Sequence, residues 1–142
     1  MLISKVVKED IDEIINEEKK LLSSSLGYDF ILQDLDNENA LYYKITEEEL
    51  IGYIGIRLLG DKAEVLNFFI KEQFQKKGYG TKLLKHVLEI LIKRKIKSLI
   101  LEVEKDNNKA IKLYEKLGFK KILVKKNYYV NKDAIIYLWE NE

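Results

Sequence analysis

The sequence predicts a single α/β (α+β) domain, residues 1–142, built on a mixed sheet with helices on its faces. Three observations predict it. Strand-like runs at 40–46, 50–59 and 63–70 are joined by connections too short for anything but antiparallel hairpins. Apolar residues then recur at i, i+1, i+4 and i+5 from Leu83 to Ile92, the pattern of an amphipathic helix. A β run at 98–103 follows, and strand, helix, strand in that order requires a crossover and a locally parallel pair.

Residues 2–8 read as a short first strand. Asp10 and Glu13 have the spacing of a capping box, opening a helix with Ile11, Ile14, Ile15, Leu21 and Leu22 on one face. Ser23 to Ser25 and Gly27 end that helix. Phe30, Ile31 and Leu35 allow a short second one. The three hairpin strands turn at Glu47–Glu49 and at Gly60-Asp61. The long helix from Gly78 ends on Lys93-Arg94-Lys95, where cations complement the helix dipole. A further helix over 107–117 buries Ala110, Leu113, Tyr114 and Leu117, and Gly118 follows as a left-handed cap. Residues 119–124 and 134–139 close the chain as strands. The order is β-α-(α)-β-β-β-α-β-α-β-β, about seven strands. Proline is absent, so glycine alone marks the turns.

Composition excludes several kinds of chemistry. There are 25 Lys+Arg against 24 Asp+Glu, a formal net charge of +1, which argues against a nucleic-acid binder that works by phosphate neutralisation. No apolar run is long enough to span a membrane, and the N-terminal residues turn acidic where a secretory signal carries its apolar stretch, so a cytoplasmic location is expected. With no cysteine and one histidine, thiolate sites, disulfides and His-rich metal sites are excluded. No metal is expected. Chemistry falls to carboxylates, tyrosines, amides and backbone groups.

The stretch Gln75-Lys76-Lys77-Gly78-Tyr79-Gly80-Thr81 joins a strand to a long helix. A glycine turn opening a helix leaves unpaired N–H groups aligned with the helix dipole, which makes an anion site. It lacks the spacing of a Walker A loop. It also lacks the third glycine of a dinucleotide fingerprint, since Leu83 stands there. On its own the turn is equally well a flexible helix start.

The module that follows carries more. Q-x-x-G-x-G at a helix start, then a strand, then Asn107-x-x-Ala110-Ile111-x-Leu113-Tyr114-Glu115-Lys116-Leu117-Gly118-Phe119, resembles the GNAT acetyltransferase superfamily, which moves an acetyl group from acetyl-CoA to an amine. Asn127-Tyr128-Tyr129 with Asp133-Ala134 resembles, within it, the RimI-type protein N-terminal (alanine) acetyltransferases that modify a ribosomal protein. The resemblance covers residues 50–138. It implies a mostly antiparallel sheet whose central parallel strands splay apart. It implies that backbone amides of Lys76, Lys77, Gly78, Tyr79, Gly80 and Thr81, with Gln75, hold the CoA pyrophosphate, and that Phe68, Phe69 and Ile70 end the splayed strand and pair with the pantetheine arm. The Ile70 amide would polarise the thioester carbonyl and Asn107 would contact the cofactor. Tyr114 would stand by the sulfur as acid, Glu102 would face the amine as base, and Tyr28, Tyr128 and Tyr129 would line the acceptor.

These residue types suit the reaction. An α-amino group, pKa ~7.8, is partly neutral at pH 7, whereas a lysine at ~10.4 is almost wholly charged. Glu102 can relay the proton, an amide can hold the oxyanion, and a phenol can protonate a leaving thiolate. Direct attack through a tetrahedral intermediate needs no covalent enzyme step. The structural readings are that Tyr114 is a core residue, Glu102 a solvated strand residue, Asn107 a helix cap, Tyr128 and Tyr129 edge aromatics, and His86 a packing residue.

Two positions depart from the family pattern. Phe69 stands where a small residue is common, and could narrow the acetyl channel or change what lies behind it. Glu104 stands where arginine is common. The region Ser25 to Phe30 lacks the proline and tryptophan of the RimI-type peptide groove. Expected partners are a protein or peptide N-terminus, or alternatively a small amine, polyamine or lysine side chain, with the chain monomeric or homodimeric. A CoA-binding module without turnover is the alternative from another class.

Overall fold

Seven strands form one sheet in the order β1-β2-β3-β4-β5-β7-β6. They are β1 (Leu2–Lys5), β2 (Ala40–Glu47), β3 (Glu49–Leu59), β4 (Lys62–Ile70), β5 (Ser98–Glu104), β6 (Lys120–Tyr129) and β7 (Lys132–Glu140), and the helices are α1 (Ile11–Leu21), α2 (Tyr28–Asp34), α3 (Tyr79–Lys93) and α4 (Asn108–Lys116). The structure is a computed structural model and describes residues 1–22, 24–129 and 132–141. Every strand pair is antiparallel except β4–β5, the pair that the α3 crossover makes parallel.

The two faces carry separate cores. One packs α3 and α4 on the sheet through Leu83, Leu84, Val87, Leu91 and Tyr114. The other packs α1 and α2 through Ile11, Ile14, Ile31, Tyr53 and Phe69. Trp139 is buried in the first, and His86 packs edge-on against Tyr43 at 5.5 Å.

A bulge decides which β4 side chains face which core. Gly55 pairs with Asn67 but Ile56 pairs with Val65, so Leu66 is an extra residue. Alternation is reset there. Val65, Phe68 and Ile70 join the α3–α4 core, while Leu66 and Phe69 join the α1–α2 core.

The helix starts differ from expectation at one place. Asp10 and Glu13 do not form a capping box on α1, because Asp10 makes no side-chain cap bond there. Its carboxylate accepts from the Val7 amide at 2.8 Å, closing a 3₁₀ turn over Lys8–Asp10, and from Lys44 Nζ at 2.6 Å. Glu13 instead takes Lys71 Nζ at 2.6 Å. The first strand also stops at Lys5, three residues before the expected end. Gly118 adopts φ 92°, the left-handed cap expected after α4.

Candidate active site

The parallel seam between β4 and β5 is short. It runs only over Lys62–Ser98, Ala63–Leu99 and Glu64–Ile100 and then parts, one residue before the bulge region begins. The register shows where the freed groups point. Lys71 N–H donates to Ile51 C=O at 2.8 Å, which makes Gly52–Ile70 a non-hydrogen-bonded pair. The backbone N–H and C=O of Ile70, and by alternation those of Phe68, therefore face away from β3 and into the parted seam. Gln75 Nε2 donates to the Ile70 carbonyl at 2.9 Å, so Gln75 braces the loop against the strand end.

Past Ile70 the chain is pinned. The Lys71 ammonium is buried and bonds Glu13 at 2.6 Å, with Glu49 at 3.5 Å. Burial works against its charge, but the hydrogen bond to Glu13 and the nearby carboxylates outweigh that and raise its pKa.

The glycine turn then winds into α3. Lys76 (φ 64°) and Gly78 (φ 88°) are both left-handed, a conformation that favours glycine at the N-cap. No side chain caps α3 and no acidic residue stands in its first turn. Its leading amides and dipole are left for an anion. By contrast α4 is capped from within, the Asn107 side chain accepting from the Ala110 amide at 3.2 Å. Lys77 lies over the Phe74 ring at 5.9 Å and Lys82 over Tyr79 at 5.9 Å, so cations ring the turn.

Two cavities meet at the parted seam. One, about 510 Å³, is lined by Phe68, Phe69, Ile70, Gln75, Lys76, Gly78, Tyr79, Gly80, Thr81, Asn107 and Tyr114, with α4 residues including Leu113. A side chain at Gly80 would crowd it, since a Cβ there would stand 3.2 Å from Leu113 and 3.5 Å from Ile70. The other, about 610 Å³, is lined by Glu64, Asn67, Phe68, Glu102, Glu104, Asn107, Tyr114, Ile122, Leu123, Lys125 and Tyr128, among others. Leu21, Leu22, Phe68, Asn107 and Tyr114 line both.

Tyr114 is buried where they meet, its ring 6.4 Å from Phe68, 5.7 Å from Phe119 and 6.3 Å from Tyr137. Glu102 projects from β5 on the side opposite the buried Leu101 and Val103. Its Oε1 accepts from Lys125 Nζ at 3.0 Å, and that nitrogen lies 4.6 Å from the Tyr128 ring centre. Phe69 lines the smaller cavity, and its ring packs on Tyr53 at 5.3 Å in the α1–α2 core. Glu104 is 3.6 Å from Lys132.

Some expected residues are not brought together. Tyr28 opens α2, packs on the α1–α2 core and lines neither cavity. Lys77 is in the turn but outside the lining of the smaller cavity. Tyr129 ends β6, and its side chain lies outside the described residues.

The sequence reading missed Glu18. Its side chain is fully buried in α1 and accepts from Ser25 Oγ (2.8 Å), the Leu26 amide (3.2 Å), Tyr53 Oη (2.9 Å) and Asn67 Nδ2 (2.7 Å). It ties α1, the loop after it, β3 and the bulged β4 into one wall of the larger cavity. A signal was present: Ile11, Ile14 and Glu18 share one helical face, so a carboxylate sits in an apolar stripe.

Comparison with known proteins agrees with this geometry. The sequence profile of the Acetyltransferase (GNAT) family matches residues 8–119. The chain is 38% identical over 103 residues to the ribosomal protein bS18-alanine N-acetyltransferase of Haemophilus ducreyi, spanning 70% of this chain and 71% of that protein. It is 30% identical over 136 residues to an N-alpha-acetyltransferase of Sulfurisphaera tokodaii, spanning 86% and 81%. The crystal structure of the ribosomal-protein-S18-alanine N-acetyltransferase from Escherichia coli superposes with a TM-score of 0.88 at 27% identity, covering 98% of this chain and 92% of that one. The donor in this family is acetyl-CoA, and the residues present fit it. An uncapped helix start suits a diphosphate, strand edges turned into the parted seam suit an amide-bearing arm, and the seam leads from one cavity to the other. The chain belongs to the GNAT acetyltransferase family and is an acetyl-CoA-dependent N-acetyltransferase.

Proposed function

We propose that this enzyme acetylates the N-terminal α-amine of a protein or peptide, with Glu102 managing the amine's proton and Tyr114 that of the leaving sulfur. One observation carries the reading. The cavity on the far side of the seam from the glycine turn, about 610 Å³, combines apolar side chains that stand exposed, Ile122, Leu123 and Tyr128, with the Glu102 carboxylate. Exposed apolar walls suit the side chains of an extended peptide, and a carboxylate among them suits its ammonium. The relatives named for an alanine N-terminus of bS18 support the same acceptor class.

The donor supplies an activated acetyl group. This chain's residues do the rest. The amides from Lys76 to Thr81 bind the diphosphate. The seam-facing N–H of Ile70 donates to the acetyl oxygen. Glu102 orients the ammonium and accepts its proton, directly or through water. Tyr114, buried between Phe68 and Phe119, supplies a proton to sulfur. Phe68 and Tyr114 stand where the cavities join and limit water access.

The test uses labelled acetyl-CoA with an Ala-initiated peptide, the same peptide N-terminally blocked, and a panel of small amines and polyamines. Label is expected on the α-amine of the free peptide, located by mass spectrometry. Equal labelling of the blocked peptide, or faster turnover of small amines, would overturn the reading.

A further inference from the structure

Lys125 occupies a peculiar place. It stands on β6, and β7 lies between β6 and β5. Across the sheet Lys125 pairs with Ala134, which pairs in turn with Glu104, so the carboxylate in its own cross-strand row is that of Glu104. Yet its side chain turns one row aside, to Glu102, at 3.0 Å. Glu104 is taken by Lys132 at 3.6 Å. The result is an ammonium on the carboxylate that serves the acceptor, inside the acceptor cavity, with the Tyr128 ring 4.6 Å from it.

We propose that the Lys125 ammonium is a resident stand-in for the acceptor's ammonium, holding Glu102 until an acceptor displaces it. The inference rests on the reading of Glu102 given above. An incoming α-ammonium needs the same carboxylate, so the two cations compete. The competition is feasible because the pair is only partly sheltered, with side-chain exposures of 38% and 35%, and pairs so exposed are weak. Lys125 itself is a poor nucleophile. The hydrogen bond to Glu102 raises its pKa and keeps it charged, so it guards the site without being acetylated.

Glu64 from β4, Glu104 from β5 with its Lys132 partner, Tyr114 from α4 and Tyr128 from β6 surround the same cavity. Lys125 is the cation bonded to Glu102, so its removal leaves that carboxylate to the incoming ammonium.

Steady-state kinetics of Lys125→Met and Lys125→Arg, with the free peptide acceptor and a pH series, test this, with Glu102→Gln run in parallel. Lys125→Met is expected to lower the acceptor KM about two- to fivefold. Lys125→Arg, whose planar fork can hold a carboxylate with two bonds, is expected to raise the acceptor KM. The acetyl-CoA KM stays put in both. An acceptor KM that is unchanged or higher in Lys125→Met would overturn the proposal while leaving Glu102 as base. If Glu102→Gln itself leaves the rate unaltered across the pH series, the reading of Glu102 fails and this inference with it.

Discussion

The two cavities that meet at Phe68 and Tyr114 are built from different materials. The smaller offers backbone: the seam edges of Phe68 and Ile70, and the amides opening α3, all within one stretch, 68–81. The larger is lined by side chains drawn from α1, β4, β5, α4, β6 and β7, held by Glu18 at one wall and by the Glu102–Lys125 pair at another. Those two carboxylates also contrast. Glu18 is sealed and satisfied by neutral donors, whereas Glu102 is partly open and paired with the Lys125 ammonium. The difference teaches that one cavity presents main-chain groups that most side-chain substitutions leave in place, and the other side chains that can be exchanged.

The largest expected effect breaks the acceptor side outright. Glu18→Ala leaves the Leu26 amide, the Tyr53 hydroxyl and the Asn67 amide without their buried acceptor. Stability should fall by about 3 kcal/mol, read as a lower urea midpoint. Acetyl-CoA affinity of the folded fraction should be retained.

Next comes the junction. Tyr114→Phe keeps the ring against Phe68, Phe119 and Tyr137. Removal of the acid should cut kcat about 100-fold, with no change in the acetyl-CoA Kd measured by calorimetry. An intact kcat would remove Tyr114 from the chemistry.

Gly78→Val sharpens the contrast from the donor side. A β-branched residue at φ 88° should cost about 1–2 kcal/mol. It should raise the acetyl-CoA KM while the acceptor KM stays near its starting value. Equal changes in both constants would mean the two sides are not separable.

The smallest effect is a control remote from the junction. Burial pushes the Asp34 carboxyl up, but hydrogen bonds from Tyr42 (2.7 Å) and Arg57 (2.6 Å) outweigh it and hold its pKa below the ordinary value. Its contribution is therefore full above the unfolded pKa of ~3.9 and is lost as pH falls through the folded value. Asp34→Asn should flatten the acid end of the stability curve and leave its neutral slope alone. Melting between pH 2 and 7 (about the range where carboxylates titrate) would show it.

How much of this was legible follows from the same contrast. The hairpins, both long helices, the glycine turn and the Gly118 cap are written in local patterns, and they stand as read. The glycine-turn motif was legible because its spacing is local. The resemblance implies a bulge in β4, but its place at Leu66 was not legible, since Val65-Leu66-Asn67 reads as unbroken strand with no glycine to mark it. Asp10 failed as a helix cap because Lys44, 34 residues away, claims its carboxylate. Glu18 and Lys125 escaped notice for a related reason. Their partners lie 7 to 49 and 23 residues off in sequence, and only the folded sheet brings them together.

One feature at the sheet's margin has a consequence for life in a crowded cell. β6 is an outermost strand, and an exposed ladder edge invites another chain to zip onto it. Here that edge carries Lys120, Lys121, Lys125 and Lys126 within ten residues. Two such borders brought alongside repel each other, so the same lysine-rich strand that lines the larger cavity also disfavours edge-to-edge pairing with a second copy.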